Sequence, residues 1–289
     1  MNLTSLFGSQ GESNSNGLPN LIVIGAMKSG TTSLHYYLSS HPEIQMSRIK
    51  DLGFFASDKK FKKGVKWYQS FFYGSQKIHG EASPYYTAFP LFPAAPKRMH
   101  AIIPRARLIY IVRDPVQRTI AHYYSRLCKH EGDKPISSEL EMVEGNYLVE
   151  VSRYGMQLER YLKYFPKESI LVISLEELVK NKAETFRTIF RFLGVDENFT
   201  SPLFDDRLNE NQGKRKKKLA LFLDRKFKAY KWGEYLPRPL VSAYQKLMLE
   251  DYEMEELSQE VRQKLVNFLK SDIRHLRQIT GKDFEDWCV

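Results

Sequence analysis

Residues 21 to 33 read LIVIGAMKSGTTS: an apolar run, a loop framed by Gly25 and Gly30 that contains Lys28, then the hydroxyl series Thr31, Thr32 and Ser33. Leu21 to Ile24 show no polar alternation, so they read as a strand buried on both faces of a parallel sheet. The two glycines permit a tight turn whose successive N–H groups point at an anion. Thr31 to Leu38 (TTSLHYYL) then reads as a helix whose positive dipole end faces the same spot. Together these pieces form a cradle for a multiply charged oxyanion. The loop differs from the nucleotide-triphosphatase version, in which Lys directly follows the second glycine of G-x-x-x-x-G-K-[ST]. Thr31 stands at that position here, and the lysine lies inside the loop at Lys28.

The rest of the chain repeats the strand-then-helix theme. Arg107 to Val112 (RLIYIV) is another buried-strand candidate, ending in Arg113-Asp114-Pro115-Val116-Gln117-Arg118 ahead of a helix through Tyr124. An arginine at a strand's carboxyl end can reach a ligand at the sheet edge as a bidentate phosphate partner, and Pro115 suits the first turn of the helix. Tyr154 to Phe165 has helix-period apolar positions interrupted by Pro166, Ile170 to Ser174 (ILVIS) reads as a core strand, and Lys182 to Leu193 as a further helix. Helices alternating with parallel-type strands predict the α/β class, as a three-layer P-loop-like fold with a central parallel sheet flanked by helices.

Lys28-Ser29-Gly30-Thr31-Thr32 resembles the 5′-phosphosulfate-binding loop of sulfotransferases that use 3′-phosphoadenosine 5′-phosphosulfate (PAPS), and Arg113 to Arg118 resembles the 3′-phosphate-binding element of the same family. The resemblance spans roughly residues 19 to 288 and is most specific in these two elements. It implies that Lys28, Ser29, Gly30, Thr31, Thr32 and Ser33 hold the 5′-phosphosulfate and that Arg113 holds the 3′-phosphate. The serine that the family places beyond that arginine is Ala121 here, which leaves His122 or Ser125 as a substitute.

Lys77 to Tyr86 (KIHGEASPYY) resembles the segment that carries the catalytic glutamate in the heparan-sulfate-type branch. The resemblance makes Glu81 the base that takes the acceptor's proton. His79 falls on the same face of an extended strand and competes for the role, its other reading being a histidine satisfied in the sheet. Lys50-Asp51-Leu52-Gly53-Phe54-Phe55 resembles the family segment K-E-x-x-F-F, with Asp51 in place of Glu. There Lys50 assists charge on the bridging oxygen or contacts the acceptor, or else is one of many solvated lysines, while Phe54 and Phe55 pack. Gly213 to Lys218 (GKRKKK) stands where the family has a basic loop that closes over the 3′-phosphate. Lys214 and Arg215 are therefore candidates for that contact, against the reading of a solvated face that already covers Lys216 to Lys218.

The reaction implied is sulfuryl transfer from PAPS to a hydroxyl or amine of a small-molecule or glycan acceptor, leaving adenosine 3′,5′-bisphosphate, with no metal. The aromatic stretch from Trp67 to Phe92 suits a compact or planar acceptor and the basic charge a glycan, although such clusters more often form core. An ATP-dependent phosphotransferase and a noncatalytic basic nucleotide- or nucleic-acid-binding module are the rival readings. The first lacks G-K-[ST]; the second leaves Glu81 and the paired phosphate elements without a use.

Composition agrees. A chain of 289 residues with 42% hydrophobic content suits one substantial domain over 19–289, preceded by a flexible Ser-, Asn- and Gly-rich arm over 1–18. That arm lacks the apolar core of a secretion signal, and no stretch approaches the roughly 18 apolar residues of a membrane span, so a cytoplasmic location is expected. Only Cys128 and Cys288 occur, without ligand-like spacing, which fits a reducing compartment and argues against a structural zinc site or a disulfide framework. The net charge of +10 makes nucleic acid an obvious partner to consider. No zinc-finger, RNA-recognition or helix-turn-helix signature accompanies it, and a basic cleft for PAPS accounts for the charge.

Overall fold

The structure, a computed structural model, describes residues 17–128, 134–205, 214–216, 249–251 and 254–289. Strands β1 (Leu21–Gly25), β2 (Ile44–Met46), β3 (Ile78–Ala82), β4 (Arg107–Val112) and β5 (Ile170–Ser174) form a five-stranded sheet in the order β2-β3-β1-β4-β5. Every pairing in it is parallel. Alternate residues of one strand serve opposite layers, as the period of two requires. Ile22, Ile24, Leu108, Tyr110 and Val112 pack with Phe54, Phe55, Tyr68, Tyr86 and Tyr154 on one face. Leu21, Val23, Ile109 and Ile111 pack with Leu34, Leu38, Phe186, Ile189 and Phe190 on the other. The fold is thus α/β, a central parallel sheet between two helical layers.

Continuous apolar runs with clear stops gave the most legible elements. The observed bounds of β4 and β5 and of the helix Lys182–Leu193 coincide with the predicted ones, and Gly194 at φ 65° terminates that helix. The helix Tyr154–Leu162 stops short of the predicted Phe165, because Tyr164 and Phe165 close onto the Tyr161 carbonyl ahead of Pro166. Leu219 to Tyr230, whose sequence reads as an amphipathic helix, lies outside the described residues.

Parallel pairing brings the carboxyl ends of β1, β3 and β4 to one edge, with Val23 opposite Ala82 and Gly25 opposite Tyr110. Gly25 is confined there by its backbone, at φ 151°, and by its neighbour: a Cβ would lie 1.9 Å from Thr87 Oγ1. Thr87 is held in place by donating to the Ile24 carbonyl at 3.1 Å. Gly25→Ala is therefore expected to destabilise the fold by about 2 kcal/mol or more in urea unfolding. A stability equal to wild type would show that the turn has room it does not display.

Candidate active site

The loop between β1 and the helix Thr31–Leu38 turns through two left-handed residues, Lys28 at φ 69° and Gly30 at φ 93°. Gly30 occupies the N-cap position and supplies no side-chain cap, so the first turn of this helix keeps N–H groups for an anion at the sheet edge. Ser29 and Thr31 are buried, Ser33 is half-buried, and Lys28 and Thr32 are exposed. A left-handed lysine in a glycine-framed turn is the kind of local strain that persists at binding sites.

Arg113 leaves the end of β4 half-buried, its carbonyl accepting from Tyr154 Oη at 2.8 Å. Asp114 then caps the helix Pro115–Leu127 through the Gln117 N–H at 2.8 Å and accepts the Cys288 N–H at 2.8 Å, pinning the chain's end beside the arginine. With that helix start fixed, Arg118 points inward and is fully buried. Its Nε donates to Ser152 Oγ at 2.5 Å, and its two terminal nitrogens to the Met27 carbonyl at 3.4 Å and the Leu148 carbonyl. His122 Nδ1 lies 3.2 Å from the same guanidinium. These partners are hydroxyl, carbonyl and imidazole groups rather than carboxylates. Burial pushes the Arg118 pKa down, and the neighbouring Arg113 charge adds to the effect. A guanidinium with no carboxylate partner among the described residues sits beneath the cradle loop. Of the two residues considered as substitutes at Ala121, His122 is buried against Arg118 and edge-on to Tyr147, whereas Ser125 is half-buried.

Glu81, near the end of β3, is fully buried on the aromatic side of the sheet. Its Oε1 accepts from Tyr86 Oη at 2.7 Å and from the Gly53 N–H at 3.2 Å, and its Oε2 accepts from Tyr68 Oη. Burial raises its pKa from 4.5 to about 7, against the opposing pull of these hydrogen bonds and of the Lys60 charge. His79 shares the strand face and lies farther from the carboxyl edge. It is buried, neither ring nitrogen has a hydrogen-bond partner among the described residues, and desolvation lowers its pKa. The imidazole is thus not satisfied in the sheet by hydrogen bonding.

The loop after β2 reaches the same edge. Lys50 is paired with Asp51 Oδ1 at 2.6 Å and is mostly buried, which sets it apart from the solvated lysines. It stands near the helix of the cradle: His35 there has a pKa lowered to about 4, by burial first and the Lys50 charge second. Asp51 is a second left-handed non-glycine residue, at φ 60°. Lys60 Nζ donates to the Leu52 carbonyl at 2.5 Å, closing this loop over Glu81. Ser83, just beyond β3, is fully buried, and its hydroxyl has no hydrogen-bond partner among the described residues. The cradle, the cations and this unsatisfied hydroxyl at one edge form a donor set that fits a ligand with separate phosphate and phosphosulfate ends.

Lys214 and Arg215 lie in a short strand, Lys214–Lys216, paired antiparallel with Leu249–Asp251, rather than in a loop throughout. The contact assigned to their side chains falls outside what the structure describes. The sequence assigns Arg118 and Lys60 no role at the site, and places Tyr68 only within the aromatic stretch suited to an acceptor, not against Glu81. The available signal for Arg118 was its spacing of one helical turn from Asp114 and from His122; for Lys60 and Tyr68 no local signal exists. Among the described residues, no group of three or more His, Cys, Asp or Glu is placed to hold a metal ion, and no helix is long and apolar enough to cross a membrane.

Comparison with known proteins gives the family of the chain. The sulfotransferase domain family matches residues 18–269. The chain is 27% identical over 217 residues to human bifunctional heparan sulfate N-deacetylase/N-sulfotransferase 2, covering 65% of this chain and 24% of that protein. It is 28% identical over 292 residues to mouse heparan sulfate glucosamine 3-O-sulfotransferase 3B1, covering 98% of this chain and 67% of that protein. The chain thus spans about a quarter of the length of the first of these relatives. The crystal structure of a sulfotransferase from Alicyclobacillus acidocaldarius superimposes with a TM-score of 0.68 at 22% identity, covering 93% of this chain and 98% of that one. With the match extending from the cradle strand through the later helices, the chain belongs to the sulfotransferase domain family.

Proposed function

We propose that this protein transfers a sulfuryl group from PAPS to a hydroxyl or amine of a small-molecule or glycan acceptor, releasing adenosine 3′,5′-bisphosphate, and that residues 19–289 act as one domain. The observation that carries the reading is the meeting, at one sheet edge, of a lysine-bearing anion cradle, two arginines and a buried carboxylate with a pKa of about 7. When bound, the donor supplies an electrophilic sulfur with a phosphate as leaving group.

The chain's own groups divide the remaining work. Lys28, with the N–H groups of the loop and of Thr31 to Ser33, binds the 5′ end and offsets the charge that grows on the departing phosphate. Arg113 binds the 3′-phosphate, Lys214 and Arg215 close on it, and Arg118 holds the Met27 carbonyl from beneath while adding positive potential. Glu81 accepts the acceptor's proton: near neutral pH a useful fraction is ionised, yet the carboxylate stays basic enough to take a proton. Lys50 extends the cationic field toward the reacting centre, and His79 is the alternative proton acceptor on the same face.

Adenosine 3′,5′-bisphosphate is expected to raise the melting temperature without Mg²⁺, and ATP much less so, because mass action rewards only the ligand that occupies both phosphate elements. Equal, Mg²⁺-dependent stabilisation by ATP would instead favour the phosphotransferase reading.

A further inference from the structure

Glu81 does not stand alone in its pocket. Tyr68 comes from the short helix Val65–Gln69, and Tyr86 from the 3-10 turn Pro84–Thr87. Both rings are essentially excluded from solvent, and they deliver hydroxyls to opposite oxygens of one carboxylate. Their placement is enforced by packing: Tyr68 stacks on Phe54 with ring centroids 4.3 Å apart and meets Phe55 and Phe72 edge-on, while Tyr86 lies against Phe55. Tyr161 Oη donates to the Tyr86 carbonyl at 2.8 Å and fixes the turn that carries it. The Gly53 N–H adds a third donor.

Three donors converge on two oxygens, and an ionised carboxylate accepts all three, whereas a carboxylic acid must turn its proton onto one of the tyrosine oxygens and forfeits that hydroxyl's donation. We infer that Tyr68 and Tyr86 are positioning residues that hold Glu81 ionised and fix its orientation, so that their hydroxyls set the pH below which the enzyme loses its base. This deepens the proposed reaction and rests on Glu81 being the proton acceptor. Among the described residues, the other charged or titratable groups near Glu81 are Lys60 from the helix Asp58–Phe61, which favours the ionised form, Tyr161 from the helix Tyr154–Leu162, and His79 two positions earlier on the same strand face. Both tyrosine hydroxyls are themselves pushed far above their ordinary pKa by burial and then by the Glu81 charge, so they remain donors throughout the working range.

The test compares Tyr68→Phe and Tyr86→Phe with wild type in two measurements. Phenylalanine keeps each ring and its packing and removes only the donor, so the fold is expected to survive. A carboxylate that loses one donor becomes harder to ionise, and the Glu81 titration should move up by about one pH unit. Difference infrared titration of the protonated-carboxyl band, assigned by its disappearance in Glu81→Gln, reads this shift directly in the apoprotein. The acid limb of the kcat profile should move by the same amount, giving about 5-fold lower turnover near pH 7 and near-complete recovery by about pH 9. A titration and acid limb unmoved in both variants, or a loss of turnover that is the same at every pH, overturns the inference. An infrared shift with a fully active Glu81→Gln leaves the tyrosines' hold on the carboxylate intact and sinks the assignment of the base instead.

Discussion

Glu81→Gln is expected to lower turnover by about 10²-fold or more while adenosine 3′,5′-bisphosphate still binds as it does to wild type. Gln keeps the length and the hydrogen-bonding capacity of the side chain, and the Tyr68 hydroxyl can turn to accept from its amide, so the aromatic pocket survives. What disappears is the ability to take a proton. His79→Asn serves as the counter-test, since it removes the competing proton acceptor from the same strand face. Normal turnover in the glutamine variant, combined with a large loss in the asparagine variant, would hand the role to the histidine.

The same substitution has a stability signature whose sign follows from burial. Folding raises the Glu81 pKa from 4.5 to about 7, so the native state holds this proton more tightly than the unfolded chain does. Its contribution is most favourable below the unfolded value and is lost as pH rises through about 7, by up to about 3 kcal/mol at roughly 1.4 kcal/mol per unit. Gln carries no charge at any pH. The variant should therefore outlast wild type in urea at about pH 8, with the advantage shrinking toward about pH 5. A pH-independent difference would mean that burial does not penalise the Glu81 charge. With the proposed role of Glu81, this is the trade expected of a group kept for chemistry at a cost in stability.

Much of this architecture is legible because it is local. β1, β4 and β5 are unbroken apolar runs, and each stops at a residue with a clear reason to stop: a glycine loop, an Arg-Asp-Pro helix entry, a serine that caps the next helix. β2 has only Ile44–Met46 and no periodicity to display, and its place at the sheet edge is set by pairing with β3 rather than by its own residues. The aromatic stretch shows the limit of composition. Phe72 and Tyr86 are buried core, Tyr73 is 50% exposed, and Tyr68 is core by its ring yet joined to Glu81 by its hydroxyl. Nothing in the order Trp67-Tyr68-Gln69 tells which ring faces the carboxylate, because that depends on how the short helix docks against β3. Lys60 escapes for the same reason: in sequence it is one lysine of a basic run, and only the turn of the loop beyond β2 brings its ammonium beside Glu81.

Lys28→Ala should impair both cofactor affinity and turnover, and turnover more. Alanine retains a Cβ, so the cost of the left-handed backbone at φ 69° is common to both side chains and the comparison isolates the ammonium group. In the proposed complex the ammonium meets an anion that loop N–H groups also bind, so affinity for adenosine 3′,5′-bisphosphate should fall only about 10-fold. In the proposed reaction negative charge gathers on the phosphate as sulfur departs, and an ammonium beside it is worth more there than in the ground state, so kcat should fall about 10²- to 10³-fold. Arg113→Ala reports the opposite division. Its proposed partner, the 3′-phosphate, does not change charge during the reaction, so the loss should appear in cofactor affinity with kcat nearly preserved at saturation. An alanine variant of Lys28 with unchanged kcat would remove the lysine from the reacting end of the site, and would leave the helix Thr31–Leu38 and its loop as an anion cradle that binds without assisting the transfer.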